Sequence, residues 1–97
     1  MIYEVADFRI SPDQKDAFEE AIQRGVNTVI ANATGFRRHT IKRCIETPGR
    51  YLLIIEWETL ENHTKDFRES EAFKAWRDIV GSYFSEPPVV EHFETVA

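Results

Sequence analysis

A histidine and a tryptophan lie close together in a polar, acidic stretch of the sequence. His63 follows Trp57 by six residues, and most of the residues between them are polar or acidic. An imidazole titrates near neutral pH, so His63 could act as a general base that removes a proton from a phenolic hydroxyl. The alternative is a partly exposed helix residue that pairs with Glu61 or Asp66. We take His63 and Trp57 as candidate catalytic residues.

Two further titratable side chains lie in segments with strand-like alternation. His92 faces either a pocket beneath the helices or the opposite face of the sheet, where the alternative is an interior His bonded to a carboxylate. Asp7 lies in the middle of its segment, where burial would raise its pKa and make it a possible base, and we place it among the candidate substrate-binding residues. The alternative is an ion pair of Asp7 with Arg9, Arg37 or His39.

Arginines and aromatic residues in the second half of the chain could bind an aromatic anion. Arg68 and Arg77 could each hold an anionic or phenolate oxygen. The alternative for these two arginines is a pair of surface salt bridges, one with Glu71 and one with Asp78.

Four aromatic side chains are candidates for the walls of a pocket that takes a flat ligand. They are Trp57, Trp76, Tyr83 and Phe84. Aromatic residues at helical spacing also form ordinary hydrophobic cores, which is the alternative for all four.

Composition excludes several classes of protein. The chain has 97 residues, of which 42% are hydrophobic and 30% are charged, as expected of one small globular domain over residues 1–97 rather than a disordered or membrane-spanning chain. Its net charge of -5 opposes binding to nucleic acid. The single Cys44 cannot form an internal disulfide, no Cys and His residues have zinc-ligand spacing, and no leader precedes the first strand. We therefore expect a cytoplasmic protein without a metal or other cofactor.

The first half of the chain predicts strand, helix, strand. Residues 2–10 alternate as in a strand, and Ser11 then serves as a helix cap, with Gln14 completing a capping box. A long amphipathic helix follows as far as Ile30. Gly35 supplies a residue that tolerates positive φ, and residues 36–46 form a second strand.

The second half predicts strand, helix, strand again. Pro48 and Gly49 occupy the central positions of a type II turn, so residues 51–57 form a hairpin with the preceding strand. Ser70 caps a second helix, and residues 89–96 form a fourth strand. This βαββαβ order predicts an α+β, ferredoxin-like, four-stranded antiparallel sheet with both helices on one face. Since the third strand is apolar on both faces, we expect the bare face to pair with a second copy in a homodimer.

The sequence also resembles a known family over nearly its whole length. It resembles the antibiotic biosynthesis monooxygenase domain family. The resemblance lies in the order of the elements, in residues 51–57, in His63, in the segment 67–73 and in residues 90–93. The resemblance implies a dimeric α+β barrel in which each subunit holds a pocket between sheet and helices. Activities in that family include oxidation of anthrones or quinols by O2 without metal or flavin, and degradation of haem.

Haem degradation is the less favoured of those activities. Members that degrade haem use an Asn, a Trp and a His, and the corresponding positions here hold Asp7, Asp66 or Phe67, and Trp76 or Arg77. Members that oxidise anthrones have a Trp and an Arg in the pocket, and these correspond to Trp57 and Arg77. Those members also have an Asn on the third strand, where this chain has Leu53.

Two hypotheses about function follow. The first is a cofactor-independent monooxygenase that acts on a small quinol, anthrone or phenol, with His63 or His92 as base and with Arg77 and Trp57 stabilising the oxygenated intermediate. The alternative is a non-catalytic module of the same fold that binds a small hydrophobic molecule or only dimerises.

Overall fold

Four antiparallel strands form one sheet in the computed structural model, which describes residues Met1–Ala97. The strands and the two α-helices follow the predicted order: β1 Ile2–Arg9, α1 Lys15–Thr28, β2 Phe36–Arg43, β3 Arg50–Trp57, α2 Glu71–Val80 and β4 Val89–Phe93. Across the sheet the order is β2-β3-β1-β4, with β1 and β3 in the centre. The predicted ferredoxin-like α+β fold is confirmed.

Alternation along the two central strands decides which side chains face the helices. Ala6 and Phe8 of β1 and Leu53 and Ile55 of β3 are all buried on the helix side. Because side chains on a strand alternate between faces, Glu4 must point into the same interior as Ala6. In the pairing of β1 with β4, Glu4 lies directly opposite His92. The register therefore brings two titratable groups from the ends of the chain side by side.

The core lies between this inner face and the helices. It contains Phe18, Ile22 and Val26 of α1 and Trp76 and Val80 of α2, all buried against the inward side chains of β1 and β3. The spacing of these helix residues is the amphipathic stripe that the sequence predicts. Burial of this apolar face is what holds the helices on one side of the sheet.

Two predicted turns and one predicted cap are confirmed. Gly49 has a φ of 84° and the Arg50 N–H donates to the Thr47 carbonyl at 3.2 Å, as in a type II turn. Gly35 has a φ of 85°, which favours glycine. At the start of α2 the Phe73 N–H donates to Ser70 Oγ at 3.3 Å.

The predicted capping box at Ser11 is wrong. Ser11 Oγ bonds to the Asp13 carboxylate instead of capping the helix, and Gln14 makes no reciprocal side-chain bond. The chain enters the helix through a tight 3₁₀ turn, in which the Gln14 N–H donates to the Ser11 carbonyl at 2.9 Å. That backbone bond satisfies the donor that a side-chain cap would have served.

The second and fourth strands end earlier than predicted. β2 stops at Arg43 because its partner β3 begins at Arg50, and β4 stops at Phe93 because its pairing with β1 ends opposite Tyr3. A strand persists only where a neighbour accepts its ladder of hydrogen bonds.

The face of the sheet that carries no helix is rich in apolar side chains. Val5 of β1 and Leu52 and Ile54 of β3 lie on it, and at its edge Val89 and Phe93 are 60% and 51% exposed. This open face is the surface for which the sequence predicts a covering partner. No helix of the chain combines the length and the apolar character needed to cross a membrane.

Candidate active site

A cavity of about 220 Å³ lies between the inner face of the sheet and α2. Nine hydrophobic side chains line it, among them Phe8, Leu53 and the predicted wall residues Trp76 and Phe84. Its polar lining consists of Glu4, His63, Arg68 and Arg77. An apolar cavity with a few convergent polar groups is the usual form of a small-molecule site.

An irregular turn of helix carries His63 into the interior. Residues Asn62–Phe67, between β3 and α2, form a π-helical turn in which the Arg68 N–H donates to the His63 carbonyl at 3.0 Å. This wider turn directs both His63 and Phe67 inward, and their rings stack with centroids 6.3 Å apart. π turns of this kind are frequent at functional sites because they redirect side chains.

Glu4 is the buried carboxylate of the site. Only 6% of it is exposed, and its Oε1 accepts a hydrogen bond of 3.0 Å from the indole Nε1–H of Trp57. The same oxygen lies 3.3 Å from Nε2 of His63. Trp57 itself is fully buried behind this pair, with its ring stacked on that of His63 at a centroid distance of 5.5 Å. Trp57 thus positions Glu4 and His63 and does not line the cavity.

The second ring nitrogen of His63 continues the chain of polar atoms. His63 Nδ1 and His92 Nε2 are 2.8 Å apart, so one of them donates to the other. His92 is half-buried on β4 and does not line the cavity, and its Nδ1 has no hydrogen-bond partner in the chain. Glu4, His63 and His92 therefore form a continuous path, which we call the polar relay, from the cavity wall to the outer strand.

Burial changes the protonation of the relay. It raises the pKa of Glu4 from 4.5 to about 7, against the opposing effects of the Trp57 hydrogen bond and the Arg68 charge. Burial also lowers the pKa of His63 from 6.5 to about 3, with further lowering by the charges of Arg68 and His92. The pKa of His92 is lowered for the same two reasons, burial and Arg68. At neutral pH His63 is uncharged, and Glu4 is poised between its two forms.

The relay can pass a proton from Glu4 to His92. A neutral His63 carries one ring proton, either on Nε2, which lies 3.3 Å from Glu4 Oε1, or on Nδ1, donated to His92. In the second arrangement a protonated Glu4 donates to Nε2 of His63. A shift between the two arrangements moves a proton from Glu4 through His63 to His92, which can release it from Nδ1.

Neither pocket arginine forms the salt bridge considered for it in the sequence. Glu71 pairs with Lys74 at 3.3 Å, and neither Arg68 nor Arg77 has a carboxylate oxygen within 4.0 Å. The guanidinium carbon of Arg77 lies 5.8 Å from the centre of the Phe84 ring. Both arginines are exposed and line the cavity, which places their charges toward its opening.

Two predicted substrate-binding residues do not reach this cavity. Asp7 points to the open face of the sheet, where Arg50 donates to both of its oxygens, at 2.8 and 3.2 Å, and Arg9 lies 3.5 Å away. These bonds, that of Arg50 above all, hold the pKa of Asp7 below its ordinary value. Tyr83 packs edge-on against Phe18, with ring centroids 5.7 Å apart, and lies outside the cavity lining.

Glu4 is the candidate site residue that sequence reasoning missed. It is followed by the buried Ala6 and Phe8 of β1 and by the buried Ile10 just beyond that strand, so it is the one charged side chain in an otherwise apolar row. A lone carboxylate on a core-facing row must be paired or protonated, which is the signal that could have identified it. No group of three or more His, Cys, Asp and Glu side chains is arranged to hold a metal ion.

Comparison with known proteins connects this geometry to a family. The model of the family described as antibiotic biosynthesis monooxygenase matches residues 1–79. The uncharacterized protein YczJ of Bacillus subtilis (strain 168) is 34% identical over 96 residues, which cover 99% of this chain and 100% of YczJ.

Solved structures show the same fold. A Bordetella bronchiseptica protein that bears the same family name superposes with a TM-score of 0.93 at 38% identity, covering 99% of this chain and 97% of the other. SnoaB of Streptomyces nogalater, a cofactor-independent oxygenase, superposes with a TM-score of 0.79 at 18% identity, covering 99% of this chain and 93% of SnoaB. At that lower identity the likeness concerns the fold alone.

Proposed function

The chain belongs to the antibiotic biosynthesis monooxygenase family, and on that premise we propose that it is a cofactor-independent monooxygenase of a small phenol, quinol or anthrone. The observation that carries the proposal is the buried Glu4, which lines an apolar cavity and is connected through His63 to His92. A carboxyl group whose pKa is about 7 is matched to proton abstraction near neutral pH. The description of SnoaB as a cofactor-independent oxygenase supports the same reaction class.

We assign the role of base to Glu4 rather than to either histidine. His63 Nδ1 is hydrogen-bonded to His92 and the pKa of His63 is about 3, which makes it a weak base, while His92 does not line the cavity. Glu4 would take the hydroxyl proton of the substrate and pass it along the relay to His92. The two histidines then serve to return Glu4 to its ionised form.

The reaction needs no electron donor other than the substrate. Loss of the hydroxyl proton leaves an electron-rich ring carbon, which forms a C–O bond to O2 as electrons move from the ring to oxygen. Cleavage of the O–O bond leaves one oxygen atom in a new carbonyl group and the other in water, whose two hydrogens are the one lost from that carbon and the proton taken from the hydroxyl group. Arg77 at the cavity opening would stabilise the negative charge that develops on oxygen.

The size of the cavity limits the substrate. A cavity of roughly 150 Å³ is enough to bind benzene, so about 220 Å³ takes one ring or two fused rings. A three-ring anthrone would extend beyond the enclosed volume. Single-ring quinols and naphthoquinols are therefore the first substrates to test.

A non-catalytic binding module of the same fold is the second candidate. Leu53 lines the cavity at the position where, by resemblance, anthrone-oxidising relatives carry an Asn, so the wall offers no amide there. A binding module would be stabilised by ligand without consuming O2. Thermal stabilisation and oxygen uptake, measured on the same compounds, separate the two candidates.

We also propose that the protein is a homodimer in the cytoplasm. The open face of the sheet, with Val5, Leu52 and Ile54, would pack against its copy and so complete the burial of β3. The single free Cys44 is consistent with a reducing compartment.

The test is oxygen uptake across a panel of benzoquinols, naphthoquinols, catechols and anthrones. Glu4→Gln keeps the shape of the side chain but removes the base, and should lower kcat by about 10²- to 10⁴-fold on the best substrate. Glu20→Gln makes the same chemical change on the exposed surface of α1 and is the matched control. Absence of uptake with every compound, or full activity in Glu4→Gln, would contradict the proposal.

A further inference from the structure

Two arginines of this chain differ from the rest in lacking an acidic partner. The sequence contains eight arginines. Six of them lie within 4.0 Å of a carboxylate oxygen: Arg9, Arg24, Arg37, Arg38, Arg43 and Arg50. The remaining two, Arg68 and Arg77, make neither a salt bridge nor a side-chain hydrogen bond, and both line the cavity described above.

The cavity therefore concentrates positive charge in an acidic protein. The chain carries a net charge of -5, yet the only charged groups that line the cavity are Arg68, Arg77 and Glu4. Glu4 is buried, whereas both arginines are exposed, so the positive charges lie toward the opening and the carboxyl group lies in the interior. Such a gradient attracts an anion to the opening and repels one from the inner wall.

We infer that the substrate is an aromatic acid whose carboxylate binds Arg68 and Arg77 at the opening while its ring enters the apolar cavity. A planar guanidinium matches a carboxylate in geometry and can donate two parallel hydrogen bonds to it. The opposite polarity of the inner wall fixes the orientation, so that a ring hydroxyl is directed toward Glu4. This inference deepens the proposed function, on which its catalytic meaning rests, by naming the charge of the substrate.

Binding of matched acids and amides tests the inference without requiring turnover. Isothermal titration calorimetry under anaerobic conditions would compare benzoate with benzamide and 2-naphthoate with 2-naphthamide. In each pair the ring is the same, and the charged carboxylate is replaced by a neutral amide of nearly the same shape. We expect the wild-type protein to bind at least one acid about 10- to 100-fold more tightly than its amide, as charge-assisted hydrogen bonds predict.

Variants assign the preference to the two arginines. Arg68→Gln and Arg77→Gln should each weaken binding of the acid while the affinity for the amide stays within about twofold, and the double variant should show no preference. Arg24→Gln, on the exposed surface of α1 where Arg24 pairs with Glu20 at 2.7 Å, is the matched control and should retain the preference.

The wild-type comparison alone can overturn the inference. Equal affinity for acid and amide, tighter binding of the amides, or no binding of any of the four compounds would refute it. A preference for acids without oxygen uptake on any hydroxylated aromatic acid would leave the inference standing and reject the oxygenase. Oxygen uptake that is faster with neutral quinols than with the corresponding acids would reject the inference and leave the oxygenase standing.

Discussion

Replacement of Glu4 by Gln should stabilise the protein at alkaline pH relative to wild type. In the folded protein the pKa of Glu4 is raised from 4.5 to about 7, mainly by burial. The folded state therefore keeps a proton that the unfolded chain has released, so the contribution of Glu4 to stability is fully present below pH 4.5 and is lost as pH rises to 7. At about 1.4 kcal/mol per pKa unit, the loss is about 3 kcal/mol.

A glutamine at this position does not ionise, so the variant does not lose this stability as pH rises. Its amide oxygen can still accept the hydrogen bond that Trp57 Nε1 donates to Glu4 at 3.0 Å. The difference in unfolding free energy between Glu4→Gln and wild type should thus shift in favour of the variant by about 3 kcal/mol from acid to alkaline pH. Most of this shift should fall between pH 4.5 and 7.

Urea denaturation followed by circular dichroism, at one fixed protein concentration, measures this difference at several pH values. The lowered pKa of His63 makes the stability of both proteins fall as pH falls below 6.5. Glu20→Gln, on the exposed surface of α1, should follow the wild-type curve.

A difference that does not change with pH would refute the reasoning, because Glu4 would then ionise equally in the folded and unfolded states. A difference that shifts in favour of wild type as pH rises would mean that a charged partner, His63 in its protonated form, holds Glu4 ionised. Either result would also remove the physical basis for Glu4 as a base near neutral pH.

Three further predictions concern packing, assembly and catalysis. Gly25→Ala should lower stability by about 1 to 2 kcal/mol, since a Cβ would lie 2.8 Å from a ring carbon of Trp76 and the gain in helix propensity offsets only part of that strain; an unchanged melting temperature would contradict this. Ile54→Lys, on the open face of the sheet, should give a monomer in sedimentation velocity, whereas a persistent dimer would place the interface elsewhere. Trp57→Phe removes the N–H donor that lowers the pKa of Glu4, so the acidic limb of the pH profile of kcat/KM should move up by about one to two pH units, and an unmoved limb would count against Glu4 as base.

Local patterns in the sequence were enough to predict the fold. The alternation of β1 and β3, the amphipathic stripe of α1 and the turn at Gly49 are each encoded within a few neighbouring residues. They could be read without knowledge of contacts because each depends on the period of its own element. The capping box at Ser11 failed for the same reason, since the backbone of the turn satisfied the donor by another route.

The candidate site could be predicted only in part. Five residues recognised by residue type line the cavity in the structure: His63, Arg68, Trp76, Arg77 and Phe84. Their roles were not predictable, because residue type alone does not distinguish a salt bridge on the surface from an unpaired charge at the opening of a pocket.

The tertiary structure alone decided how the relay is assembled. Glu4, His63 and His92 are far apart in the sequence, and they meet because β4 pairs with β1 in a register that sets Glu4 opposite His92 while the π turn brings His63 between them. Register and burial together fix both the distances and the pKa shifts, and neither is a property of any one segment. The sequence by itself determined which elements form and which of their faces are apolar, whereas the packing of those faces determined which polar groups were left inside beside the cavity.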